Sequence, residues 1–176
     1  MIVFITGSES TGKTELARGL AHHFGISWVP EYARYYIENL NRKYQIQDLE
    51  EIARHQIQEI ISHQNEKFII FDTGLIITKV WFEKKFRKVP EWFEALYRDY
   101  SNGYYLLCSP DLPWLADPVR ENSERREELD FAYAAQINSI NCPMKRISGK
   151  GSERLKSAIY TIEEWLEIEN ANYETR

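Results

Sequence analysis

The chain has 176 residues, 43% hydrophobic and 28% charged, with a formal net charge of −5; that is enough to bury a full core in one domain over 1–176, and it excludes a disordered or fibrous chain. The acidic balance excludes a general basic field for nucleic acid or an anionic membrane surface, while leaving room for a local phosphate pocket. Cys108 and Cys142 stand in no metal or redox spacing, and no apolar run nears the ~20 residues that span a bilayer, so a cytoplasmic protein without disulfides is expected.

Ile2–Thr6 is apolar, too short for a helix and followed by glycine, which predicts a buried strand. It lacks the basic leader and cleavage site of a signal peptide. Gly7-Ser8-Glu9-Ser10-Thr11-Gly12-Lys13-Thr14 follows and matches G-x-x-x-x-G-K-S/T at every fixed position. A chance match of four fixed positions arises on the order of once in a hundred such chains or fewer. A helix is predicted from Lys13 to a C-cap at Gly25. Strand, glycine loop and helix together make a phosphate cradle in which backbone N–H groups and the helix N-terminus face the anion. Gly7, Ser8, Glu9, Ser10, Thr11, Gly12, Lys13, Thr14 and Glu15 are therefore assigned to ATP. Lys13 reaches the β- and γ-phosphates, and the Thr14 hydroxyl ligates magnesium.

Ile26–Val29 predicts a second strand closed by Pro30, and Tyr32–Asn41 and Ile46–Glu66 predict helices. Glu31 follows the second strand and faces the cradle. It is a candidate base for an acceptor hydroxyl, with Arg34 one turn on to steer it or a phosphate. Phe68–Phe71 predicts a third strand that delivers Asp72 to the magnesium shell and makes Asp72 the rival base. Leu75–Phe86 and Pro90–Asp99 predict helices, and Tyr104–Cys108 a fourth strand. Glu121–Ile140 predicts a charged helix, Met144–Ser148 a fifth strand and Glu153–Glu169 the last helix, with a frayed tail over 170–176. The alternation predicts an α/β fold, a parallel sheet with helices on both faces.

No Asn/Thr-Lys-x-Asp motif for guanine occurs, and Thr73 stands after Asp72 where motor and AAA-type ATPases place a water-activating glutamate. A small-molecule kinase with a closing lid remains. The lid is placed at about 114–130, with Arg120 and Arg125 as phosphate contacts ahead of Arg126. Gly149, in Ser148-Gly149-Lys150-Gly151 after the fifth strand, is a weaker nucleotide contact. His22, His23, His55 and His63 form no metal motif.

Several segments resemble the ribosylnicotinamide kinase domain of NadR-type proteins, a P-loop nucleoside kinase-like group of the AAA_28-type ATP-binding family. They are Ile5–Thr14, Val29-Pro30-Glu31-Tyr32-Ala33-Arg34, Ile52–Gln56, Phe71-Asp72-Thr73, Thr78–Trp81, Pro110-Asp111-Leu112-Pro113-Trp114 and Asp117–Arg120. The resemblance implies a five-stranded parallel sheet and ATP- and magnesium-dependent phosphorylation of nicotinamide riboside in NAD salvage, by a kinase domain standing alone. Glu31, Arg34, Tyr32, Trp81, Trp114 and Asp117 are the acceptor-side candidates, since aromatic faces suit a cationic ring; Trp81 and Trp114 lead because they sit in family-like segments. Tyr35 and Tyr36 are further aromatic candidates. Relatives commonly carry a second acid where Gly74 stands and glycine where Pro118 stands; losing the acid removes a group that could bind ribose hydroxyls.

Overall fold

The computed structural model describes residues 1–115 and 123–174. Five strands, β1 (Ile2–Thr6), β2 (Trp28–Val29), β3 (Ile69–Asp72), β4 (Tyr104–Cys108) and β5 (Met144–Ile147), form one sheet in the order β2-β3-β1-β4-β5. All four pairings are parallel. The helices are α1 (Lys13–Phe24), α2 (Tyr32–Glu38), α3 (Ile46–Ser62), α4 (Leu75–Trp81), α5 (Glu91–Tyr100), α6 (Arg126–Ser139) and α7 (Gly151–Glu174).

Strand residues alternate between two cores because successive side chains leave a strand on opposite faces. Phe4, Ile69, Phe71, Tyr105 and Leu107 pack under α3 to α6, whereas Val3, Ile5, Ile70, Leu106, Cys108 and Ile147 pack under α1 and α7. The central strands are apolar on both faces, as a sheet covered twice requires. Cys108 is thus a core residue, and burial pushes its thiol up to about 11. Among the described residues no helix is long and apolar enough to cross a membrane.

Several boundaries depart from the sequence expectation; α3 ends at Ser62 and α6 begins at Arg126. β2 is an edge strand reduced to two residues, and α2 stops at Glu38. The predicted Leu75–Phe86 helix changes after Trp81 into a π-turn over Phe82–Phe86. The expected frayed tail is instead helix through Glu174. There Tyr104 anchors the last turns by donating its hydroxyl to Glu169 Oε1 at 2.6 Å, a long-range bond that local composition does not announce.

Candidate functional site

The carboxyl end of β1 runs directly into the phosphate loop. Gly7 has φ +154, and a Cβ there would come within 2.8 Å of the Cys108 carbonyl oxygen and 2.9 Å of Thr11 Oγ1. Gly12, at φ +75, turns the chain into α1 in the left-handed conformation that glycine adopts without steric cost. The Thr11 hydroxyl donates to the Ser8 carbonyl at 2.8 Å, and the Lys13 ammonium donates to the same oxygen at 3.0 Å. Lys13 therefore lies across the loop, with the α1 N-terminus behind it, in the field that favours anionic phosphate.

Sheet register brings the acids to this loop. Ile5 pairs with Asp72, so the last residue of β3 emerges beside the start of the loop. The Thr14 hydroxyl donates to Asp72 Oδ2 at 2.6 Å, and Asp72 Oδ1 is buried with no hydrogen-bond partner among the described residues. Burial raises the Asp72 pKa against the opposing pull of the Thr14 hydrogen bond, Lys13 and Arg34. An orphaned buried carboxylate oxygen next to a hydroxyl is a fitting donor set for magnesium, which takes few protein oxygens and completes its shell with water and phosphate. The described residues contain no group of three or more His, Cys, Asp or Glu arranged for a metal.

Glu31 sits at the N-terminal boundary of α2, on the opposite wall. Desolvation raises its pKa most strongly; Lys13 and Arg34 pull it down, and Asp72 and Glu9 push it up. Lys13 and Asp72 both act on the Glu31 carboxyl, and Lys13 also acts on that of Asp72, so the acids share one cationic neighbour. Arg34 lines the same cleft and donates from Nε to Glu38 Oε1 at 2.8 Å.

The cleft has a volume of about 510 Å³, within the range of small-molecule sites. Residues 9–15 form one wall; Glu31, Arg34, Ile37 and Trp81 line it further, and Leu112, Pro113 and Leu115 close it. Trp81 stacks on Tyr44 with centroids 6.0 Å apart, and Lys85 lies 3.6 Å above the Tyr44 ring. The predicted residues Glu9–Glu15, Glu31, Arg34 and Trp81 are therefore brought together, with Asp72 joined through Thr14.

Other candidates go elsewhere. Tyr32 stacks on His55 at 3.5 Å, Tyr36 bonds Asp48, and Tyr35 is 66% exposed. Trp114 is not among the lining residues although Pro113 and Leu115 are. Arg125 turns back to Glu128, with bonds of 2.9 and 3.0 Å on an exposed surface. Gly149 donates its N–H to Asp111 Oδ2 at 2.7 Å. Asp117 and Arg120, with most of the predicted lid, lie outside the described residues. Ile37, Leu112, Pro113 and Leu115 escaped the residue-by-residue reading, although the Pro110–Trp114 segment had marked that stretch. Arg126, which the sequence ranks behind Arg120 and Arg125 in the lid, bonds the phosphate loop itself.

Residues 2–154 match a family described as an AAA domain, AAA_28. The trifunctional NAD biosynthesis/regulator protein NadR of Escherichia coli K12 is 26% identical over 156 residues, covering 82% of this chain and 37% of its own length. Its counterpart from Salmonella typhimurium LT2 is 29% identical over 125 residues, covering 67% and 30%. The chain thus spans about a third of the length of these two relatives. A crystal structure of NadR protein in complex with NR superposes with a TM-score of 0.74 at 26% identity, over 93% of this chain and 50% of that one. A deoxyadenosine kinase from M. mycoides, at 14% identity, shares the fold with a TM-score of 0.66 over 93% of this chain and 100% of its own. The residue after Asp72 is Thr73, so AAA membership here does not bring a glutamate to that position. This chain belongs to the AAA_28 family and resembles the NadR proteins over most of its own length.

Proposed function

We propose that this domain transfers the γ-phosphoryl group of ATP to the 5′-hydroxyl of a nucleoside, with nicotinamide riboside as the first candidate acceptor. The observation that carries the proposal is that Glu31 lines one cleft with Lys13 and Thr14, whose hydroxyl donates to Asp72. The solved NadR structure with NR supports the choice of acceptor; Gly74, where relatives carry an acid, favours testing other nucleosides beside it.

Lys13 would leave the Ser8 carbonyl to pair with the β- and γ-phosphates. Thr14 and Asp72 would hold magnesium, which neutralises charge on the phosphate oxygens. Asp72 already accepts the Thr14 hydroxyl, so Glu31 takes the role of base. Its carboxylate accepts the 5′-hydroxyl proton as that oxygen bonds to the γ-phosphorus and the β–γ bridging bond breaks. Burial holds the Glu31 pKa above the ordinary carboxylate value, nearer the working pH, which suits a group that must take up a proton. Trp81 offers an apolar face to the base of the acceptor, and Arg34 steers the carboxylate or a phosphate.

The test is a panel of nicotinamide riboside, nicotinic acid riboside and deoxynucleosides with MgATP, products read by mass. Acceptor-dependent ADP formation is expected, with Glu31→Gln lowering kcat by about 100-fold or more while ATP affinity holds. MgATP binding without turnover on any acceptor would instead favour a nucleotide-sensing module. Near-normal turnover in Glu31→Gln would remove Glu31 as base.

A further inference from the structure

We propose that Arg126 is a positioning residue for the phosphate loop and acts through the backbone of Ser10. The inference rests on the nucleotide-binding reading and on no particular acceptor.

Residues 111–115 form a strap across the loop. At its base, Asp111 accepts the Gly149 N–H at 2.7 Å and the Arg154 guanidinium at 3.0 and 2.9 Å. Arg154, only 4% exposed, also donates to the carbonyls of Ser109, Ile147 and Gly149. The strap is thereby fixed to the end of β5. At its far end the Leu115 N–H donates to Ser10 Oγ at 3.2 Å, and the Ser10 hydroxyl donates back to the Leu115 carbonyl at 3.3 Å. Leu112 lies so close that a Cβ on Gly12 would come within 3.1 Å of its Cδ1.

Arg126, at the start of α6, joins strap to loop. Nη1 donates to the Leu112 carbonyl at 2.9 Å and Nη2 to the Ser10 carbonyl at 3.2 Å. Among the described residues no carboxylate lies within 4.0 Å of this guanidinium, so its charge is directed at peptide carbonyls. A planar fork can span two acceptors at once, and arginine does not lose its proton in proteins.

The consequence follows from peptide geometry. In a trans peptide the carbonyl and the next N–H point in opposite directions. Holding the Ser10 carbonyl toward Arg126 aims the Thr11 N–H the other way, toward the cleft that Ser10 and Thr11 line. Ser10 adopts φ +57, a conformation uncommon for a non-glycine residue, which needs external support. Arg126 and Leu115 supply that support from outside the cradle.

The experiment measures ATP KM, acceptor KM and unfolding midpoint for Arg126→Gln, Ser10→Ala and the double variant. Arg126→Gln is expected to raise ATP KM about tenfold, with acceptor KM and midpoint unchanged, and Ser10→Ala to raise it about threefold. The double variant is expected to match Arg126→Gln, because both changes release the same peptide. Arg126→Lys keeps the charge without the planar fork and is expected to recover only part of the affinity, a readout that stands even if Arg126→Gln folds poorly. Unchanged ATP KM in Arg126→Gln, multiplying effects in the double variant, or full affinity in Arg126→Lys each overturn the proposal. If the wild-type protein binds no MgATP, the nucleotide reading fails and takes this inference with it; wild-type binding with an unaffected Arg126→Gln sinks this inference alone.

Discussion

Replacing Gly74 with alanine tests whether any side chain at this position is barred by packing. A Cβ at position 74 would lie 2.7 Å from Phe4 Cδ1, 3.2 Å from Cε1 and 3.3 Å from Cγ; carbon atoms in favourable contact sit about 3.5–4.0 Å apart. The ring has nowhere to go. Phe4 is fully buried between Phe71 and Tyr105, with centroids at 5.4 and 5.1 Å, and its opposite edge fills the space beside Gly103. Gly74 itself has φ −149, extended backbone open to any residue, so the cost comes from space. Overpacking of this kind costs about 2 kcal/mol, or about 4–8 °C in unfolding midpoint for a chain of this size. Calorimetry on Gly74→Ala, Phe4→Leu and the double variant reads it. The double variant should lose less than the sum of the two singles, because leucine vacates the ring edge that the new methyl strikes. A Gly74→Ala midpoint within about 1 °C of wild type, or strict additivity, would refute the reasoning.

Two further outcomes concern carboxylates whose pKa the fold shifts. Glu31→Gln should raise the unfolding midpoint of metal- and nucleotide-free protein near about pH 8, with the gap closing toward about pH 4. The sign follows from the raised pKa: below the ordinary carboxylate value both folded and unfolded forms are protonated, and above it the unfolded form ionises first. A loss of stability at the higher pH would show that Glu31 is held mainly by its charge partners. Asp48, whose carboxyl is held down to about 2 by Arg42, behaves in the opposite sense. It receives both Arg42 Nη groups at 2.6 and 2.8 Å and the Gln45 N–H at 2.7 Å, capping α3. Arg42 is 53% exposed and screened by solvent, so Asp48→Ala should cost only about 2 kcal/mol near neutral pH. That stability is present above the ordinary carboxylate value and is lost as pH falls through about 2; denaturant titration at several pH values measures it. A gap that stays constant down to low pH would assign the loss to packing.

The phosphate loop was legible because its chemistry is contiguous: eight adjacent residues carry the turn, the ammonium and the hydroxyl, between a strand and a helix that local pattern reveals. Asp72 and Glu31 were legible for a related reason. Each stands at or just after a strand end, and a parallel sheet carries strand ends to one edge. The aromatic candidates were harder. Tyr32, Tyr36 and Trp81 have similar chemistry and similar local settings, yet only Trp81 faces the cleft.

From the sequence alone came the α/β alternation, the phosphate cradle and the acids at the strand ends, all set by neighbours along the chain. Tertiary structure decided which distant groups meet: Phe4 over Gly74, Asp111 with Arg154, and Arg126 with Ser10, 116 residues away. Arg125 and Arg126 look alike as letters. Arg125 ends a short 3₁₀ turn over Ser123–Arg125 while Arg126 opens α6, and that change of backbone sends the first to Glu128 and the second to the phosphate loop.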